Sequence, residues 1–291
     1  MCTLMFAEVK MQYDDEVLRR LQLVELQILK DIDRVCREQG ITYFLDSGTL
    51  LGAVRHQGFI PWDDDIDIGM MRSDYDRFMA AAAEALGENY VVSSCELRAD
   101  HAAMFAKVWR KDTKFSTRET VEAGVPQGIF VDVFPYDELC ANPAKASKQV
   151  RACRFWQSVS YLYHAKTIIV PHEGLLGWCE KLGCRVAHVL ARLLFTHEGI
   201  RVHFDKGALM GRDDPSSRAM AFAYPVGEGF PLDVLLPTKD ISFEGCTFSG
   251  PAEAERYLEI MFGDWRTLPP EGKRKNHAPL ELDFGENATA H

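Results

Sequence analysis

No Cys-x-x-Cys pair occurs among the eight cysteines, which are scattered at positions 2, 36, 95, 140, 153, 179, 184 and 246. Zinc-ribbon and thioredoxin-like motifs are therefore excluded, and free thiols in a reducing compartment are expected. The chain also lacks a long uncharged apolar run. Its most apolar stretch, Leu175 to Phe195, is broken by Glu180, Lys181, Arg185, His188 and Arg192. That stretch reads as an amphipathic helix and not as a membrane span. Basic charge is scarce as well: 33 Lys and Arg against 43 Asp and Glu give a formal net charge of −10. Nucleic-acid binders normally present a basic face, so no nucleic-acid partner is expected. Met1 to Lys10 carries Glu8 and lacks the basic-then-apolar order of a secretory signal, which points to the cytoplasm. No internal repeat or low-complexity segment is visible.

What is present suits a soluble globular chain. Of 291 residues, 47% are apolar and 26% charged, enough for one large domain or a domain with an insert. Leu21, Val24, Ile28, Ile32 and Val35 recur at helical spacing within 14–38, and Gly40 stops the run. Ile41 to Leu45 is a short β-type run. Asp46-Ser47-Gly48-Thr49 then turns the chain into a helix over Leu50 to Arg55. Asp65-Ile66-Asp67-Ile68 alternates as a strand does. Ser73 is expected to cap a helix reaching Leu86. Further strands are expected at Tyr90 to Ser93, Met104 to Trp109, Thr113 to Ser116 and Gly128 to Phe134. The stretch 145–205 is helical in pattern. Ile241 to Phe243 and Cys246 to Phe248 form a hairpin through Glu244-Gly245, and a helix follows to about Phe262. The fold class expected is α+β: a mixed sheet flanked by helices, with a helical insert.

Three features carry chemistry. Ser47-Gly48-Thr49 lies between a strand and a helix, where backbone N–H groups can approach a phosphate at the positive helix end. Trp62-Asp63-Asp64-Asp65-Ile66-Asp67-Ile68 gathers carboxylates with an apolar interleaf. On a strand Asp63, Asp65 and Asp67 share a side, and carboxylates so close repel one another unless a cation intervenes. The ordinary alternative is a solvated acidic turn. Asp132 stands inside the apolar run Ile129 to Phe134, where a lone acid is costly unless paired or bound to metal; an acid at a strand end is its ordinary reading.

The run from Leu45 to Ile68, LDSGTLLGAVRHQGFIPWDDDIDI, resembles the hallmark of the LicD family, the phosphorylcholine transferases of bacterial surface glycans and distant relatives of fukutin. Phe105 to Trp109, with its central Lys107, resembles a second family strand, and Gly128 to Pro135 resembles its second acidic strand. Tyr257 to Asp264, Trp265, Leu268-Pro269-Pro270 and His277 resemble its C-terminal signature. The family turn often has two glycines where this chain has Ser47-Gly48.

The resemblance implies a nucleotidyltransferase-type fold, with a catalytic core at 14–140, an insert at 141–210 and a closing part at 211–280. It implies that Asp65, Asp67 and Asp132 are catalytic and hold Mg²⁺ or Mn²⁺. The substrate would be a nucleotide-diphosphate-alcohol donor such as a CDP-alcohol. Its phospho-alcohol passes to a sugar hydroxyl of a glycan acceptor, lipid-linked in some cases, so peripheral contact with the inner membrane face is expected through Leu175 to Phe195. Ser47, Gly48, Thr49, Arg55, His56 and Lys107 are the candidate substrate contacts. Rival readings are nucleotidyl transfer onto a small hydroxylated molecule, and a non-catalytic nucleotide- or metal-binding module. Cys179, Cys184 and His188 could seed a zinc site, against plain helix packing. Trp156, Tyr161, Tyr163 and Trp178 could cage a quaternary ammonium group, against a plain aromatic core.

Overall fold

A computed structural model describes residues 13–117, 120–121, 124–165, 174–274 and 276–285, with the side chains of 175, 176, 179 and 181 left aside. Helix α1 (Asp15–Gln39) starts where the Asp14 carboxylate accepts the Glu16 N–H, and it stops where Gly40 turns left-handed at φ 62°. Its buried stripe includes Leu21, Ile28, Leu29, Ile32 and Val35, the spacing expected from the sequence. α1 packs across the strands at Ala106–Arg110 and Phe130–Cys140 of the main sheet.

Among the described residues the sheet has seven strands. β1 (Phe44–Leu45), β2 (Asp67–Met71), β6 (Phe130–Cys140), β4 (Ala106–Arg110) and β3 (Tyr90–Ser93) lie side by side in that order. β2 runs parallel to β6, while β1–β2, β6–β4 and β4–β3 are antiparallel, so the sheet is mixed. Farther along, β6 pairs with β7 (Pro215–Ala221), which pairs with β8 (Phe230–Pro231). The expected strand from Gly128 to Phe134 therefore runs on to Cys140, because its second half gains a partner far away in sequence. Short β5 (Lys114–Ser116) pairs with β11 (Glu281–Asp283). The expected hairpin forms from β9 (Lys239–Phe243) and β10 (Cys246–Gly250), with Glu244 and Gly245 at φ 52° and 71°.

α2 (Ser47–His56) follows β1 and α3 (Arg72–Leu86) follows β2. Ser73 does not cap α3. The strand enters the helix without a loop, so the cap position falls on Met71, which makes no side-chain cap bond. Arg72 is held instead by a bidentate pair with buried Asp137 of β6, at 2.9 and 2.6 Å. Between β6 and β7 the chain runs through α4 (Pro143–His164), α5 (Gly174–Leu194) and α6 (His197–Ala208). Near the C-terminal end, α7 (Ala254–Phe262) packs against α2. The whole is an α+β arrangement of a mixed sheet with flanking helices.

Candidate metal and phosphate site

Strand register assembles the site. Asp67 of β2 is level with Asp132 of β6, and Lys107 of β4 is level with Asp132 on its other side. Residues at one level of adjacent strands share a face, so the three form a row. Lys107 Nζ donates to Asp132 Oδ1 at 2.6 Å and lies 3.5 Å from the centre of the Phe130 ring. Asp65 precedes β2, yet strand-like alternation extends back to it: Asp64, Ile66 and Ile68 are buried, while Asp63, Asp65 and Asp67 are half-buried. The Asp132 N–H donates to the Ile66 carbonyl at 2.8 Å, which carries the pairing past the end of the strand. The backbone thus brings Asp65, Asp67, Asp132 and Lys107 together.

The turn after β1 abuts this row. The Asp46 N–H donates to the Asp67 carbonyl at 3.0 Å. The Asp46 carboxylate accepts the Ser47 N–H at 2.7 Å and the hydroxyls of Tyr136 and Tyr257. It is a brace for the turn, with its oxygens occupied. Ser47 sits at φ 46°, the left-handed region that favours glycine. Gly48 is required by close approach: a Cβ there would lie 2.9 Å from Asp63 Oδ2. Thr49 is buried, and its Oγ1 accepts the Asp67 N–H at 2.8 Å, tying α2 to β2. Arg55 donates to the Trp265 carbonyl at 2.7 Å and to His56 Nε2 at 3.0 Å. Arg55 still acts electrostatically on Asp63, whereas His56 is engaged with Arg55. Burial first, and Arg55 second, hold the His56 imidazole below its usual range.

The acids oppose one another. Burial drives the Asp67 carboxyl well above the usual range, reinforced by Asp65, Asp132, Asp46 and Asp63. Asp63 is likewise well raised, by burial and then by Asp65 and Asp64. Burial raises Asp65 against the pull of His277. Burial also pushes Asp132 up to about 6, with Lys107 opposing. Such a cluster is short of positive charge, and its ligands would all be carboxylate oxygens, the set that suits a hard divalent cation.

Two acids escaped the sequence reading. Asp64 faces inward and accepts the Tyr13 hydroxyl at 2.8 Å, the His277 N–H at 2.8 Å and the Ala278 N–H at 2.9 Å. By spacing alone Asp64, Asp65 and His277 could hold a metal ion, since their ligand atoms lie within 4.8 Å of one another. The bond to Asp64, and then the charges of Asp65 and Asp64, raise the His277 pKa to about 10. Without an ion, a protonated His277 offsets the charge of Asp64 and Asp65; on binding one it would give up that proton. The second acid is Glu25 of α1, fully buried beneath the same run. The only sequence signal for either was position: an acid on the inward phase of its element.

The other candidates lie apart. Trp156 packs against Phe155, Phe195 and His203 within the helical region. Tyr163 lies under Arg192, and Trp178 is exposed. Of the four aromatics, Tyr161 reaches toward the sheet, its hydroxyl 3.4 Å from that of Tyr224, whose ring packs near Phe105 and Phe134. The Cys179 side chain lies outside the described residues, and His188 Nδ1 is bound to the Leu162 carbonyl at 2.6 Å.

Comparison with known proteins agrees with this geometry. Residues 40–173 match the family described as LicD/FKTN/FKRP, nucleotidyltransferase domain. The chain is similar to the lipopolysaccharide cholinephosphotransferase LicD of Haemophilus influenzae, 38% identical over 127 residues, covering 43% of this chain and 46% of that protein. It is also similar to the human ribitol 5-phosphate transferase FKRP, 48% identical over 40 residues, covering 14% of this chain and 8% of that protein. The matched segments thus span less than half the length of these relatives.

Proposed function

We propose, from the match of residues 40–173 to the LicD family, that this chain is a metal-dependent transferase of a phospho-alcohol. The donor is a CDP-alcohol and the acceptor a sugar hydroxyl of a cell-surface glycan or its lipid-linked precursor. The observation that carries this reading is the row Lys107–Asp132–Asp67 on three adjacent strands, with Asp65 ahead of it and the Ser47–Gly48 turn beside it. Asp65, Asp67 and Asp132 would hold Mg²⁺ or Mn²⁺. Such an ion supplies charge neutralisation at the diphosphate and polarises its oxygens.

The chain's own groups then have separate tasks. The Ser47–Gly48 turn offers close backbone approach to the phosphates at the start of α2. Lys107 keeps Asp132 oriented and offsets its charge. Asp132 either joins in holding the ion or, where it does not, takes the proton of the attacking sugar hydroxyl. The sugar oxygen forms a bond to the alcohol-bearing phosphorus. The bond from that phosphorus to the bridging oxygen breaks, and cytidine monophosphate leaves. The braces on Asp46 and Asp64 fix the geometry on which in-line transfer depends.

Product analysis tests the reading. Incubation with a panel of CDP-alcohols, Mg²⁺ and a glycan acceptor should release cytidine monophosphate. Pyrophosphate from a nucleoside triphosphate would indicate nucleotidyl transfer, and no turnover with any donor would leave a binding module.

The acceptor side has its own supporting observation. No helix among the described residues is long and apolar enough to cross a membrane. Yet α5 turns Gly177, Cys184, Ala187 and Ala191 inward, and Trp178, Leu182, Val186, Val189, Leu193 and Leu194 outward. The large apolar side chains are on the wrong side for a core helix, and exposed Arg185 and Arg192 flank them. Residues 143–194 contain eight Lys and Arg against two Glu, in a chain of net charge −10. This face suits an anionic lipid surface, where a lipid-linked acceptor would be presented.

A further inference from the structure

Helix α1 is part of the wall of the acid cluster. The Tyr13 hydroxyl just before it binds Asp64 at 2.8 Å, and Gln22 Nε2 donates to the Asp63 carbonyl at 3.0 Å. Glu25 follows Gln22 by one helical turn, on the same face. It has no solvent exposure, and among the described residues neither carboxyl oxygen has a hydrogen-bond partner. Its neighbours by charge are Asp65, Asp64, Asp63 and Asp132, which act with burial to raise its pKa well above the usual range.

Nothing among the described residues repays this arrangement. As a carboxylate, Glu25 is a buried unpaired charge among like charges. As a neutral acid, it still leaves its O–H and C=O unsatisfied. Leu21 and Ile28 on the same helix are fully buried, so a leucine would suit position 25 better if packing were its task. The other inward acids differ. Asp46 and Asp64 each accept several hydrogen bonds, and Asp132 has Lys107. Glu25 alone among these four has both oxygens free.

We propose that Glu25 is a further ligand of the divalent cation held by Asp65, Asp67 and Asp132, so that α1 contributes to the metal site. This rests on the metal-dependent reading above. Its oxygens would bind the ion directly or through one of its waters, as carboxylates do around Mg²⁺ and Mn²⁺.

The test compares wild type with Glu25→Gln and Glu25→Leu, without substrate. Thermal melts are run in chelator and in excess Mn²⁺, and Mn²⁺ affinity is read from the loss of the free-ion electron spin resonance signal. In chelator both variants should melt higher than wild type, since a buried repulsive group is gone. In Mn²⁺ the order should reverse: wild type gains a clear shift, and the variants lose most of it. Their Mn²⁺ dissociation constants should rise at least about ten-fold. Wild-type affinity in the near-isosteric Glu25→Gln would overturn the assignment and leave Glu25 a core acid. A wild type that binds neither Mn²⁺ nor Mg²⁺ would remove the metal reading itself, and this ligand with it.

Discussion

Ser47 occupies a left-handed conformation at φ 46° in the turn where family members often carry glycine. For a residue with a Cβ this costs roughly 1–2 kcal/mol. The compensation visible here is a weak bond from its hydroxyl to Asp46 at 3.3 Å. Ser47→Gly should therefore raise the unfolding free energy by up to about 1 kcal/mol, read as a higher urea midpoint at unchanged slope, with turnover within a few-fold of wild type. Ser47→Ala keeps the strain, loses the hydroxyl and should fall below wild type. His101 permits a pH prediction. The Phe105 carbonyl can only accept, so Nε2 carries the proton, and Nδ1 accepts from the Ser93 hydroxyl. Burial, and then Lys107, push its pKa down to about 4. The unfolded chain takes up this proton first, so the associated stability is complete above about 6.5 and lost as pH falls toward about 4. The loss is on the order of 3 kcal/mol, and urea melts of His101→Gln across this range should show a flatter acid limb. At this scale the sequence singled out Asp65, Asp67, Asp132 and Lys107 as candidates, because a motif and an acid in an apolar strand are local signals. In a run of three aspartates it could not say that Asp64 faces inward. Glu25 looked like one more polar residue on an amphipathic helix.

Among the elements, α5 shows where periodicity stops being informative. Its helical spacing was legible, but an apolar stripe in a sequence does not state which way it faces. The small residues Gly177, Ala187 and Ala191 allow close packing on the inner side and leave the large side chains outside. Flotation with vesicles containing anionic lipid should carry the protein upward at low salt, and neutral vesicles should not. Each base at the surface adds about 1 kcal/mol, so added salt should release the protein. Val189→Asp with Leu193→Asp should abolish flotation while leaving transfer to a soluble acceptor intact. Binding to neutral vesicles just as well, or none to anionic ones, would remove this docking face. The strands tell a related story. β4 and the first half of β6 were readable from their apolar alternation, whereas the second half of β6 depends on β7, some eighty positions later, and no local pattern announces that pairing.

Over the whole molecule, charge sets an order of binding. A chain of net charge −10 with clustered carboxylates repels a diphosphate, and Arg55 is partly committed to the Trp265 carbonyl. Metal and donor should therefore bind with positive coupling. At a hundred times its dissociation constant a ligand stabilises the native state by about 2.7 kcal/mol. A CDP-alcohol should raise the melting temperature clearly with Mg²⁺ or Mn²⁺ and hardly at all in chelator. Asp67→Asn should stay folded and lose that shift. Equal shifts in both conditions would mean that the turn and the basic residues hold the phosphates unaided. The braces on the site come from the far end of the chain: Tyr257 on Asp46, Trp265 on Arg55, and His277 with Ala278 on Asp64. Contacts spanning some 210 positions leave no trace in any local pattern: the C-terminal signature marked Tyr257, Trp265 and His277 but not their ties to Asp46, Arg55 and Asp64. They also impose a schedule on the growing polypeptide. As a ribosome releases the chain, the acidic run from Asp63 to Asp67 emerges long before Tyr257 and His277, so in the nascent chain it is a loose, well-hydrated anionic stretch. The proposed centre becomes available only once the segment from Tyr257 to Ala278 has been translated and has folded back, and synthesis interrupted before that point should leave a product that has the acids and lacks the proposed activity.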